Sequence, residues 1–317
     1  MLDDLRNASH RGPVLLCAGT DPTAASRLAG ASVALLAERH AVVLATWDPP
    51  PLKGADAVLD ALYDEHADLR AASRHGATDV AHAACDVLDD HGVRVTRTVC
   101  PEESSPWQTI LDLADEVDAS VIVAGTSEDP ASQPGLLGSQ ARALAHHTHR
   151  ALLLVPAGHD VVAPGAPAIF AYDGTPAAVR ALDLAGTLLR SRPAVVTCAW
   201  TSVEQAAAVA LAAVPDDVAR KGAAGLDESA RLQAVGHAAE GRDLLKATGW
   251  PCEIAAPEAA RNVPGAIIAA ADEHDAAIVV TGTRGRSRVA SALLGSVAES
   301  LVRHADRPVL LVPPPAT

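Results

Sequence analysis

The chain has 317 residues, room for one large or two ordinary domains, and 49% of them are hydrophobic while only 2% are aromatic, so its core must be aliphatic. A net charge of −14 excludes a general affinity for nucleic acid or for an anionic membrane surface, both of which need a basic face. No apolar run of roughly eighteen residues could cross a membrane, and the opening MLDDLRNASHRGP lacks the apolar centre of a signal segment, so a cytoplasmic protein is expected.

In chain order, short aliphatic runs predict strands near 13–18, 41–46, 93–99, 119–124 and 151–155. The Pro/Gly-rich stretch AGHDVVAPGAP (157–167) follows and suits a linker. Beyond it, strands are predicted at 167–172, 194–199, 252–256, 276–281 and 308–312, with helices at about 176–190, 227–247, 263–274 and 295–304. Continuous Val, Ile and Leu runs mean strands buried on both faces, as in a parallel sheet covered by helices. Alternating strands and helices imply right-handed crossovers and an α/β fold with doubly wound parallel sheets. Ligands of such sheets bind beyond the carboxyl ends of the strands, at a switch point.

The elements are written twice. DLADEVDASVIVAGT (112–126) returns as AAADEHDAAIVVTGT (269–283), an offset of 157 residues. The offset holds for Leu137-Gly138-Ser139 and Leu294-Gly295-Ser296, for His147 and His304, and for RALLLVP (150–156) and RPVLLVP (307–313). AVVLATW (41–47) answers AVVTCAW (194–200) after a small change of length. Two tandem domains, 1–156 and 157–317, are expected.

One stretch of the second copy carries chemistry. TGTRGRSRVASALLGSVAES (281–300) leaves the strand AAIVVTG and ends by starting a helix, with the spacing Gly282-x2-Gly285-x9-Gly295-Ser296. Gly282 and Gly285 let backbone pass close to a ligand, or take a positive φ. Gly295-Ser296 falls at a helix N-terminus, where free N–H groups and the dipole favour an anion such as phosphate. The Ser296 hydroxyl can add a hydrogen bond or cap the helix, and Arg284, Arg286 and Arg288 can supply positive charge. The same residues also suit an ordinary strand–helix loop with a capped helix and solvated arginines. No Gly-Lys-Ser/Thr follows, so this is not a Walker A loop; nor is it the Rossmann glycine triplet, which opens the first strand–helix turn.

VVTGTRGRSRVASALLGSVAESLVRHADRPVLLVP closely resembles the closing segment of the universal stress protein family, whose nucleotide-binding members carry Gly-x2-Gly-x9-Gly-Ser/Thr there. AIFAYDGTPAAVRALDLA (168–185) is similar to the family's first strand, Asp-Gly-Ser/Thr turn and first helix. The resemblance covers the chain as a tandem pair, most clearly in the second half. It implies two sandwiches of the adenine-nucleotide hydrolase-like type and a site for ATP, ADP or AMP, with Mg²⁺, in residues 157–317. By resemblance, Asp173 meets the adenine and ribose side and Ala171 and Ala199 contact the base. Thr281 and Gly282 line the nucleotide, Arg284 and Gly285 stand on the glycine loop, and Gly295, Ser296, Val297 and Ala298 hold the phosphates. Arg284 replaces a frequent histidine, adding a charged phosphate contact, and Ala298 replaces a frequent threonine, removing a hydroxyl. The resemblance also implies an internal pseudo-dimer through the apolar last strands of the two copies, with a homodimer of whole chains left open.

The first copy reads as a domain that has kept its fold and lost this site. It retains Gly125 and Gly138-Ser139, but Glu128 stands at the middle glycine, Asp129 follows, and no arginine lies in 126–136. Aligned on its proline, VLLCAGTDP (14–22) puts Gly19 opposite Asp173, with Asp21 displaced by two positions. A carboxylate ~5 Å from a phosphate charge costs about 3 kcal/mol at an effective dielectric of ~20.

Other features read plainly. His146, His147 and His149 are expected at a helix end, where cations suit the dipole, rather than converging on a metal. Residues 49–65 and 202–215 are long connections after the second strand of each copy; 202–215 has an apolar stripe that reads first as a surface helix packed on its own domain, with closure over the nucleotide or partner binding as alternatives. Trp47 and Trp200 end equivalent strands as core or rim residues. The five cysteines form no C-x-x-C pair; Cys17 and Cys198 lie in apolar runs as core residues, and neither zinc nor a disulfide framework is expected. Enzymes on the same sandwich use Ser-Gly-Gly-x-Asp-Ser or His-x-Gly-His, both missing here, and no nucleophile elbow is visible. A nucleotide-binding regulator is therefore expected, with no catalytic residue assigned. The alternatives are a slow ATPase or autokinase and a ligand-free interaction module.

Overall fold

The computed structural model of the protein describes residues 12–36, 39–47, 64–101, 105–126, 137–159, 165–189, 192–202, 216–285 and 294–314. It divides into two compact units, Met1–Leu144 with Leu152–Val161, and Ala145–Ala151 with Val162–Thr317. Among the described residues no helix is long and apolar enough to cross a membrane.

The first half runs β1 (Val14–Cys17), α1 (Pro22–Leu36), β2 (His40–Trp47), α2 (Asp64–Asp90), β3 (Arg94–Pro101), α3 (Pro106–Glu116), β4 (Val121–Gly125), α4 (Ser139–His147) and β5 (Ala151–Val155). The second runs β6 (Ala168–Ala171), α5 (Pro176–Leu188), β7 (Ala194–Thr197), α6 (Asp216–Lys246), β8 (Cys252–Ala255), α7 (Val263–Glu273), β9 (Ile278–Gly282), α8 (Ser296–His304) and β10 (Val309–Val312). Strand order is β3-β2-β1-β4-β5 in the first half and β8-β7-β6-β9-β10 in the second, the same order twice. In the second half every pairing is parallel, with Ala171 in register with both Thr197 and Thr281. These are the tandem doubly wound sheets that the repeat implies.

The predicted elements of the second half are present with small shifts at their ends, and one larger one. Helix α6 begins at Asp216 rather than near 227. The sequence there, DDVARK, has no strong apolar period to mark a helix start.

The core is aliphatic, as a chain with so few aromatic residues requires. Every residue of β1, β5, β7 and β10 is buried. The chain's single phenylalanine, Phe170, meets Trp250 edge to face, with ring centroids 5.4 Å apart at 85°. Trp250 is 1% exposed, and its Nε1 donates to the Arg192 carbonyl at 2.5 Å. Cys17 and Cys198 are buried in this core, and no disulfide joins any of the five cysteines. Burial pushes the Cys17 thiol up to about 12, so it stays neutral and unreactive.

Candidate functional site

In the second half the chain leaves β6 towards β7 and leaves β9 towards β10, in opposite directions along the sheet, so the β6–β9 boundary is a switch point. A cavity of about 480 Å³ opens there, a size in the ordinary range for small-ligand sites. Every site residue that the resemblance implies lines it. Ala171 and Asp173 come from the end of β6, and Ala199 from the end of β7. Thr281, Gly282, Arg284 and Gly285 follow β9, and Gly295, Ser296, Val297 and Ala298 begin α8.

The turn after β6 presents Asp173. Its Oδ1 accepts from Thr175 N at 3.1 Å and from Thr175 Oγ1 at 2.6 Å. Gly174 completes the turn with φ 78°, which a residue with a Cβ rarely adopts. Thr175 then caps α5, its Oγ1 accepting from Ala178 N at 3.3 Å, and Pro176 takes a first-turn position where no N–H is needed. With Oδ1 fixed by the turn, Oδ2 is the oxygen that faces the glycine loop.

The three loop glycines serve close approach and not positive φ, since none of them is in the left-handed region. A Cβ on Gly282 would come within 2.8 Å of the Ala177 Cβ and 3.0 Å of its carbonyl carbon, so the β9 end could not press against α5. On Gly295 it would meet the Thr283 carbonyl oxygen at 3.1 Å, and on Gly285 the Asp173 Oδ2 at 3.3 Å. Thr283 ties the loop down: its N–H donates to Val312 O at 2.9 Å and its carbonyl accepts from Gly295 N at 2.8 Å.

Gly295 is the N-cap of α8, and no side chain caps this helix. Ser296 is therefore the first helical residue and not its cap, as one sequence reading allowed. The N-terminus, with Ser296, Val297 and Ala298 on the cavity wall, presents N–H groups to whatever enters. Arg284 is exposed on the same wall. Arg286 and Arg288 lie outside the described residues.

Sequence reading missed the walls. Helix α6 contributes Ala230, Gln233, Ala234 and His237, and α7 contributes Val263 and Ile267. The α6 residues follow the three- and four-residue helical spacing, which marks one face of a helix without saying what that face meets. His237 lies against the β6 turn: a Cβ on Gly174 would be 3.3 Å from its Nδ1, which is 3.6 Å from Glu240 Oε2. Asn262 sets the start of α7, its side chain accepting from Gly265 N at 2.8 Å, and so places Val263 and Ile267. Trp200, expected as core or rim, is half-buried and lines the cavity, its Nε1 donating to Ala256 O at 3.2 Å. Among the described lining residues Asp173 is the sole carboxylate.

One buried hydroxyl at this cavity, Thr197 Oγ1, meets no hydrogen-bond geometry with any described group. Burial, then the Glu240 carboxylate through its charge and a hydrogen bond, then Asp173, push the Tyr172 phenol up to about 12, so it is a neutral O–H.

The first half has a cavity of about 340 Å³ built differently. It is lined from β1, α1, β4, α4 and the end of β5, with no contribution from β2 or α2 among the described residues. Gly19, at the position of Asp173, offers no carboxylate. Asp21 instead caps α1, its Oδ1 accepting from Ala24 N at 2.7 Å, which is the task Thr175 performs in the second half. Glu128 and Asp129 lie outside the described residues, as do nearly all of 49–65 and 202–215.

Of the three clustered histidines, His146 and His147 occupy the last turn of α4, while His149 lies past the helix end, against the expectation that all three sit on it. Among the described residues no group of three His, Cys, Asp or Glu side chains could hold a metal ion.

The sequence profile of the universal stress protein family matches residues 11–156 and again residues 167–313. A stretch of 37 residues is 62% identical to a universal stress protein of Mycobacterium tuberculosis, and that match spans 12% of this chain and 12% of the relative. Over the whole chain the fold is similar to a universal stress protein of Archaeoglobus fulgidus, with TM-score 0.62, 17% identity, and 96% of this chain and 97% of that one covered. It is also similar to a functionally unknown protein of Pseudomonas aeruginosa, with TM-score 0.53, 16% identity, and 97% and 95% covered. At such identities the likeness is one of fold.

Proposed function

Because the chain belongs to the universal stress protein family, with one domain of that kind in each half, we propose that its second half binds an adenine nucleotide in the 480 Å³ cavity and acts as a nucleotide-responsive stress regulator. The observation that carries this reading is the convergence on one cavity of the uncapped α8 N-terminus, the glycine cradle and Asp173. The cavity has separate places for the chemistry of a nucleotide. Helix N–H groups and Arg284 suit phosphates. The free oxygen of Asp173 suits ribose or base hydrogen-bond donors, and Ala171, Ala199, Val263 and Ile267 suit a flat ring. Mg²⁺ would be carried mainly by phosphate oxygens and water, as it commonly is, since Asp173 is the sole carboxylate on the described walls.

Among the described residues, the cavity of the first half has Gly19 where Asp173 stands, its Asp21 is engaged in capping α1, and nothing of β2 lines it, so it is proposed to take no nucleotide. From the matching strands ALLLV and VLLV we also propose that the two domains form an internal pseudo-dimer, because an uncovered apolar edge invites aggregation. Separately expressed halves should then bind each other or form homodimers; two stable monomers that ignore each other would exclude it.

The deciding experiment for the nucleotide is extraction and chromatography of whatever co-purifies with the chain, followed by calorimetric titration with ATP and ADP. Absence of a co-purified nucleotide together with no heat of binding at millimolar nucleotide would reject the reading in favour of an interaction module.

A further inference from the structure

Thr197 closes β7 and is 0% exposed, yet its hydroxyl meets no described partner. A buried hydroxyl in that state is costly unless something pairs with it. The sheet fixes the side on which it stands. Thr197 and Thr281 are both in register with Ala171, and in a parallel sheet such partners share a face. The other face belongs to Val196 and Tyr172, which meet α6 at Gly241: a Cβ there would come within 2.9 Å of Val196 Cγ1 and 3.0 Å of the Tyr172 ring. The row Thr197–Ala171–Thr281 therefore faces away from α6, and all three residues line the cavity. Thr281 already directs its hydroxyl to the Gly282 carbonyl at 3.3 Å, which leaves Thr197 with the unsatisfied hydroxyl of the row.

Its place along the cavity is equally specific. β7 is two strands from β9, with β6 between them. At ~4.8 Å per strand that puts Thr197 roughly 10 Å from the glycine loop. A nucleotide with its phosphates at α8 and its sugar beside Asp173 reaches the β7 end with its base.

We propose, resting on the nucleotide reading above, that Thr197 Oγ1 hydrogen-bonds the base of the bound nucleotide. A hydroxyl can donate to a ring nitrogen or accept from an exocyclic amino group, and adenine offers both. Among the described residues no backbone or side-chain group pairs with this oxygen, which leaves it for the ligand.

The test compares the full wild-type chain with Thr197→Val, which keeps the shape and removes the hydroxyl, and Thr197→Ser, which keeps the hydroxyl. Calorimetric titration with ATP and melting without nucleotide are the two readouts. Thr197→Val should bind ATP roughly tenfold more weakly, the usual consequence of losing one buried hydrogen bond. Thr197→Ser should stay within about threefold of wild type. Without nucleotide, Thr197→Val should melt no lower than wild type, because an unpaired buried hydroxyl has been replaced by a methyl group. Wild-type affinity in Thr197→Val, equal losses in both variants, or a ligand-free Thr197→Val that melts several degrees lower would each overturn the assignment. Should the wild-type chain bind no ATP at all, the nucleotide reading of the cavity falls first, and that outcome is distinct from the others.

Discussion

Asp173 Oδ2 and Gly285 face each other across the carboxyl ends of β6 and β9, so closely that a methyl group on Gly285 would lie 3.3 Å from that oxygen. The pair joins the two arms of the cavity, and it explains why a glycine sits where the loop has no need of a positive φ. Gly285→Glu should be the most damaging single change to the site. It places a second carboxylate against Asp173 and near the phosphates, where a charge ~5 Å away costs about 3 kcal/mol, or roughly a hundredfold in affinity. Wild-type titration should give close to one nucleotide per chain. A stoichiometry near two that survives Gly285→Glu would sink the assignment to the second half.

Asp173→Asn separates the turn from the site. The amide oxygen can still accept from Thr175, as Oδ1 does now, so the melting temperature should change by no more than about 2 °C. The charged acceptor is lost, and ATP affinity should fall roughly tenfold. Unchanged affinity would mean that Asp173 only shapes the turn.

Trp250 anchors the second domain away from the cavity. It is 1% exposed, packs edge to face on Phe170 and donates to the Arg192 carbonyl. Trp250→Ala should destabilise this domain by about 3–5 kcal/mol in urea titrations, the range for a large buried aromatic. Trp250→Phe should recover much of the packing and lose the hydrogen bond to the Arg192 carbonyl, for an intermediate loss of about 1–3 kcal/mol. Equal stability of all three proteins would show that the core does not depend on this contact.

Turnover of ATP should be slow. Hydrolysis needs an aligned water, a base and usually a metal held close to the γ-phosphate. Asp173, the sole carboxylate on the described walls, lies at the β6 turn rather than at α8. Arg284 and the helix N–H groups favour bound phosphate without activating a nucleophile. A steady-state assay with Mg²⁺-ATP should stay below roughly 1 s⁻¹, under the range of ordinary enzymes. Faster turnover that disappears in Gly295→Asp would mark the protein as an ATPase.

Sequence by itself determined the tandem plan, the aliphatic strand runs and the loop residues that meet at the switch point. These are local or repeated signals. A run such as AIVVTG, the spacing from Gly282 to Ser296 and the offset of 157 residues depend on no distant contact. The tertiary structure alone decided the rest. Which helix face covers which side of a sheet is set by long-range packing, so His237, Gln233, Val263 and Ile267 could be read as helical residues but not as cavity walls. The use of the glycines was also undecided, since close approach and positive φ call for the same residue; contacts with Ala177, Thr283 and Asp173 settle it for close approach. Asp21 is the counterpart case in the first half: an aspartate two positions from the expected place becomes a helix cap, because it directly precedes α1 and reaches that helix's first N–H groups. Thr197 reads in the sequence as one more β-branched strand residue, and only the assembled sheet buries its hydroxyl with no hydrogen-bond partner among the described residues.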